Sequence, residues 1–137
     1  MMEGRLKIGD KREFEHTVNE EDKAIFDSGE VHPVCSTFAL AKYIEWAGRL
    51  FVLDVREEDE EGIGTMLQIK HESPAFVGQK LSFKAIVESV SGNELVCAVS
   101  VTSNERLIAS AKTGQKILKK SRIKEIFSSL ELHGKKQ

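Results

Sequence analysis

The chain holds 137 residues, of which 31% are charged and 40% hydrophobic, with a formal net charge of −2. That length suits one domain with its own apolar core, and the composition excludes a disordered or collagen-like chain. The near-neutral balance excludes a global electrostatic grip on nucleic acid, and no apolar run reaches the roughly 20 residues of a membrane helix.

Met1-Met2-Glu3-Gly4-Arg5-Leu6-Lys7 lacks the apolar segment of a secretion leader. Residues 5–18 carry a polar alternation in which Phe14, His16 and Val18 share one face, the pattern of a half-buried strand. Residues 19–36 hold Asn19, Asp22, Asp27, Ser28, Gly29 and Pro33, and read as irregular chain with one helical turn around 21–26. Residues 37–53 lack proline and begin at a good cap, Ser36 or Thr37. Leu40, Ala41, Ile44, Ala47, Gly48 and Phe51 recur there on one stripe, which predicts the one strong long helix of the chain, about 25 Å in length. The small residues on that stripe permit close approach to a sheet. Residues 54–62 form an acidic stretch expected to be a solvated loop.

From Gly62 the period becomes two. Thr65, Leu67, Ile69 and His71 form the first alternating set, then Leu81, Phe83, Ala85 and Val87, then Leu95, Cys97, Val99 and Val101, then Leu107, Ala109, Ala111 and Thr113. Ser73-Pro74, Val77-Gly78-Gln79, Ser91-Gly92-Asn93 and Ser103-Asn104-Glu105 supply the turns between them. Four strands therefore follow the helix, the last three as an antiparallel meander. Residues 119–137 are a basic extension in which Ile123, Ile126, Phe127 and Leu130 fit a short helix. No aromatic platform interleaves its lysines, so the charges read as a solvated face rather than a nucleic-acid site. Cys35 and Cys97 belong to no Cys-x-x-Cys or Cys/His cluster. They read as reduced core residues, and no metal, no cofactor and a cytoplasmic setting are expected.

One strand, one long helix and four antiparallel strands make an α+β pattern. The sheet would wrap around the helix, and its open edges invite a partner subunit. This order resembles the hotdog fold. Val34-Cys35-Ser36-Thr37, Tyr43-Ile44-Glu45-Trp46-Ala47 and Gly62-Ile63-Gly64-Thr65, leading to Ile69-Lys70-His71, resemble thioesterases of the fluoroacetyl-CoA type. Val77-Gly78-Gln79-Lys80-Leu81 and Ile108-Ala109-Ser110-Ala111 resemble hotdog acyl-CoA thioesterases more widely. The likeness covers residues 10–118 of a single domain spanning 1–137, and its three polar positions fall on Thr37, Glu45 and His71.

What the resemblance implies is an acyl-CoA thioesterase acting on a short- or medium-chain thioester, as a homodimer or dimer of dimers, with no nucleic-acid or membrane partner. Its catalytic residues would be Thr37, Glu45 and His71, with Gly64, Phe38 and Ser36 at the substrate. Thr37 at a helix N-terminus, where unpaired amides and the dipole favour negative charge, would polarise or attack the carbonyl. The plain alternative is a cap. Glu45, about 80° around the helix from Thr37, would be half-buried and act as base or acyl acceptor. Its alternative is a surface ion pair with Lys42 or Arg49. His71 would point inward and carry the proton, or else be a satisfied core histidine. His16, His32 and His133 have no evident partner and read as structural or solvated. Phe38, Tyr43 and Phe76 line a pocket or the core, and the basic tail meets coenzyme A phosphates or solvent. The rival functions are a non-catalytic acyl-CoA-binding module and, less well supported, hydratase chemistry, for which His71 lacks a neighbouring Asp.

Overall fold

The computed structural model describes residues 4–136, with side chains for residues 4–134. Met1-Met2-Glu3, read above as no leader, and the side chains of Lys135 and Lys136 lie outside it. The elements run β1 (Lys11–Thr17), a 3-10 turn (Glu20–Asp22), β2 (Lys23–Phe26), β3 (Gly29–Cys35), α1 (Thr37–Val55), β4 (Glu60–His71), β5 (Lys80–Ser91), β6 (Glu94–Ser103), β7 (Arg106–Lys119) and α2 (Lys120–Lys136). Five strands form one antiparallel sheet in the order β1-β5-β6-β7-β4, and β2 pairs with β3 apart from it. The sheet wraps α1, which is the hotdog arrangement.

The period-two residues explain the core. Leu81, Phe83, Ala85 and Val87 on β5 face inward, with Leu95, Cys97, Val99 and Val101 on β6. Leu40, Ile44, Ala47, Phe51, Val52 and Val55 of α1 pack onto them. The intervening residues carry cross-strand ion pairs on the outer face, such as Lys84 with Glu13 at 3.7 Å and Lys112 with Glu88 at 2.9 Å. Such exposed pairs contribute little stability and mark that face as solvated.

Glycine sets the depth of the helix. A Cβ at Gly48 would lie 2.4 Å from Thr113 Oγ1, and one at Gly62 would lie 2.7 Å from Val52 Cγ1. The backbones of α1, β7 and β4 therefore approach more closely than any side chain would allow. Arg5 donates to the Val55 carbonyl at the far end of α1, and Leu6 joins the core. Cys35 and Cys97 are buried and unpaired, and burial pushes both thiols up to about 12, so neither is a reactive thiolate at neutral pH.

Two expectations need correction. Residues 21–26 are not a helical turn in irregular chain. The helical turn is one residue earlier and shorter, and Asn19 caps it. Ile25, Phe26, Val31 and Val34 then favour extended chain, and Gly29 at φ 109 lets β2 turn back as β3. The acidic stretch 54–62 is also mostly not loop. Helix α1 runs to Val55 and β4 starts at Glu60, because its carboxylates find cations. Arg49 binds Glu61 at 3.0 Å, Arg56 also binds Glu61, and Lys119 binds Asp59 at 2.8 Å. Backbone bonding from Gly62, opposed by burial, and the Arg49 contact hold the Glu61 carboxyl below its ordinary range.

Candidate active site

The N-terminus of α1 sits above the end of β4. Ser36 is the cap, and its hydroxyl accepts from the Ala39 amide at 2.9 Å. That assignment frees Thr37, the first helical residue, from capping. The Thr37 hydroxyl instead lies 3.0 Å from Nδ1 of His71, the last residue of β4. His71 is half-buried, and its Nε2 is buried with no hydrogen-bond partner among the described residues. A threonine and an imidazole 34 positions apart thus share one hydrogen bond, with His71 held opposite Ala109 in the pairing of β4 with β7.

Glu45 lies two turns along the same flank of α1. Its Oε1 is 2.7 Å from where a Cβ at Gly64 would stand. Glu45 therefore rests on the bare backbone of β4, and Gly64 is the residue that permits it. The carboxyl is exposed rather than half-buried, since β4 is the edge strand and the sheet ends there. Among the described residues Arg49 pairs with Glu61, so the expected surface pair with Arg49 is taken. The structure brings Thr37 and His71 into contact and sets Glu45 beside Gly64, with no hydrogen bond joining the two pairs among the described residues.

The remaining candidates divide. Phe38 is 81% exposed and, with Ala41, Lys42, Tyr43, Glu45, Trp46 and Arg49, lines a hollow of about 550 Å³ on the outer face of α1. That volume lies within the range of small-molecule sites, about 300–1,000 Å³. Ser36 is buried and its hydroxyl is spent on the cap. Phe76 is exposed in the loop after β4, bridged to Val34 of β3. His32 and His133 are exposed.

His16 is the exception to the expectation of no partner. Its Nε2 lies 2.7 Å from Asp22 Oδ2, and Tyr43 donates to Asp22 Oδ1 at 2.6 Å. The His16 and Tyr43 rings are 4.0 Å apart. Sequence reasoning left Asp22 in irregular chain. The signal that could have found it is Asn19-Glu20-Glu21-Asp22, whose first and last side chains form a capping box. Burial pushes the Asp22 carboxyl up, but bonds from Tyr43, the Asn19 amide and His16 together hold it below its ordinary value. The same bond, after burial, pushes the Tyr43 phenol up. This cluster lies on the β1 flank of α1, opposite Thr37 and His71.

Replacing Gly64 with alanine tests the Glu45 placement. The atom it meets is the far end of a flexible side chain, so the fold should tolerate the methyl at a cost near 0.5 kcal/mol. Thioester turnover should nevertheless fall, because the carboxyl must move. Equal turnover with an unchanged melting temperature would mean that the position of Glu45 is unimportant.

Comparison with known proteins bears on the family and the fold. Residues 18–121 match the sequence profile of the family described as fluoroacetyl-CoA-specific thioesterase. A Thermus thermophilus member of the thioesterase superfamily superposes with a TM-score of 0.90 at 31% identity, covering 96% of this chain and 98% of that one. A hot-dog-like protein from Thermanaerovibrio acidaminovorans gives 0.82 at 16% identity, covering 90% and 92%. The fluoroacetyl-CoA thioesterase FlK gives 0.80 at 18%, covering 90% and 96%. No curated protein matches significantly. A family profile over most of the chain, on a sheet wrapped about one helix, leads to one conclusion: the chain is a thioester hydrolase belonging to the fluoroacetyl-CoA-specific thioesterase family.

Proposed function

We propose that the protein hydrolyses short- or medium-chain acyl-CoA thioesters, with Thr37, Glu45 and His71 as its catalytic residues and Gly64 and Phe38 at the acyl group. The observation that carries this reading is the Thr37 hydroxyl at 3.0 Å from His71 Nδ1 while Ser36 does the capping. In the Nε2–H tautomer, Nδ1 accepts from the hydroxyl, the arrangement that activates an oxygen nucleophile.

Water adds its oxygen to the thioester carbon as the C–S bond breaks. The water's protons pass by way of His71 or Glu45 to the leaving sulfur and to solvent, and the products are a carboxylate and a thiol. Either Thr37 holds that water near the helix N-terminus, or a side-chain oxygen attacks first and water then releases the acyl group. In both routes the negative oxygen forms near the helix amides.

Several features support a homodimer or dimer of dimers. Strand β4 is a 12-residue edge paired only with β7, and Phe38, Trp46 and Leu67 stand exposed beside it. A second copy would cover the exposed side of Glu45. No described helix is long and apolar enough to cross a membrane, and the two unpaired thiols fit the reducing cytoplasm.

The test is thiol release from acetyl-, fluoroacetyl-, butyryl-, octanoyl- and palmitoyl-CoA by the parent, Thr37→Ala and Glu45→Gln. Turnover should peak at the short or medium acyl groups and fall by about 10²-fold or more in each variant. Parent-like rates in both variants would place the chemistry elsewhere. Tight binding of a thioether analogue with no thiol release by the parent would make the protein an acyl-CoA-binding module.

A further inference from the structure

We propose that Asp22 is a positioning residue for the reaction, holding the first two turns of α1 so that the Thr37 hydroxyl stays within reach of His71. The inference rests on the proposed role of Thr37, and it concerns the opposite flank of the helix.

Asp22 is 3% exposed and grips α1 at two points. Its backbone carbonyl accepts from the Ser36 amide at 2.8 Å, directly before Thr37. Its side chain accepts from the Tyr43 hydroxyl at 2.6 Å, two turns further along the same helix. The carboxylate is in turn held from outside the helix. His16 on β1 approaches its Oδ2 at 2.7 Å and the Asn19 amide donates to Oδ2 at 2.9 Å. One buried residue therefore ties β1, the capped turn and both ends of the leading half of α1.

Both attachments lie on the β1 side, whereas the Thr37–His71 bond lies on the β4 side. Apolar packing seats α1 on the sheet, and polar contacts on its two flanks refine its rotation about its axis. On the β4 side the leading half of α1 meets bare backbone at Gly64, and the ion pair of Arg49 with Glu61 stands three turns beyond Thr37. The polar clamp on the other side supplies the restraint. A buried carboxylate is a costly way to hold two elements together, and apolar packing would serve stability as well. Hydrogen bonds are directional, however, and fix the angle of the helix as apolar contact does not. Displacing a reacting group by about 1 Å can lower a rate by about 10²-fold.

The experiment is a double-mutant cycle on the full chain: Asp22→Asn, Thr37→Ala and both together. Asp22→Asn should lower kcat by about 10-fold or more with KM within about twofold, while the folded secondary structure is retained. In the Thr37→Ala background the same substitution should have little further effect, because the group it positions is gone. Equal losses in both backgrounds, or a raised KM with unchanged kcat, would make Asp22 a structural residue only.

Ring-nitrogen NMR of His71 supplies a readout independent of activity. Asp22→Asn should move the Nδ1 resonance in the direction that Thr37→Ala moves it, and an unmoved resonance overturns the proposal. Should the parent release no thiol, the thioesterase reading of this site fails, and the His71 resonance still decides whether Asp22 positions Thr37. If Asp22→Asn does not fold, Tyr43→Phe removes one of the two grips and carries the same readouts.

Discussion

Replacing His71 with alanine should lower kcat for acyl-CoA hydrolysis by about 10²- to 10⁴-fold, the range spanned by a positioned general acid–base group. The argument begins with the hydroxyl. A threonine side chain in water is a poor nucleophile and a poor anchor for one, and its activation needs a base at hydrogen-bond distance. His71 Nδ1, at 3.0 Å, is the titratable atom that the structure places there. Removing the ring also removes the proposed proton carrier for the departing sulfur, so the loss should fall on kcat more than on KM. Stability should change little, because the ring is half-buried and Nε2 makes no bond among the described residues that would be broken. His71→Gln separates two explanations. It keeps a hydrogen-bond partner for Thr37 but cannot shuttle a proton near neutral pH, so it should be as slow as alanine. A glutamine variant near the parent rate would mean that His71 only orients the hydroxyl. The readout is thiol release at saturating substrate, with the melting curve as control.

How far the sequence announced this site depends on the signal that carried each part. The helix, read as 37–53 and observed to run to Val55, and strands β5 to β7 were legible because apolar spacing switches cleanly from 3.6 to two, with glycine or asparagine at each turn. Asn104 and Glu105 take positive φ, as a two-residue hairpin demands, and the Ser-Asn-Glu turn marks that place. The β2–β3 hairpin was not legible. Its strands are short, its apolar residues Ile25, Phe26 and Val31 are exposed, and no period accumulates over so few positions. Thr37, Glu45 and His71 were nameable through family likeness, since a threonine at a helix start reads as a cap in isolation. The structure gives the cap to Ser36 and leaves the Thr37 hydroxyl beside His71. Gly64 illustrates the reverse. Its motif is weak, yet its purpose is plain once Glu45 is seen lying over its backbone. Asp22 was missed because its partners are far from it in sequence, His16 on β1 and Ser36 and Tyr43 at the cap and second turn of α1. Only the fold assembles them.

Phe83→Ala should be among the most damaging single substitutions to stability, at about 3–5 kcal/mol. Phe83 lies in the middle of β5 and is fully buried. Its ring stacks on Phe14 of β1 at 4.6 Å and tilts against Tyr43 of α1 at 6.0 Å. The side chain thus joins the edge strand, a central strand and the helix at one point. Truncation loses the transfer free energy of the ring and leaves a cavity that three rigid elements cannot close. The aromatic contacts add about 0.5–1.5 kcal/mol each beyond buried area. Against a typical total of 5–15 kcal/mol, the loss should bring the unfolding midpoint in urea down by a large fraction of its value. Phe83→Leu fills most of the space and should cost about 1.5 kcal/mol or less. Function should respond in a graded way. Tyr43 rests on Phe83 and bonds Asp22, so the leucine variant should remain folded at room temperature yet lose some thioesterase turnover as the tyrosine settles. A midpoint for Phe83→Ala within experimental error of the parent would mean that the core closes around the gap, and that the ring does not brace α1 against the sheet.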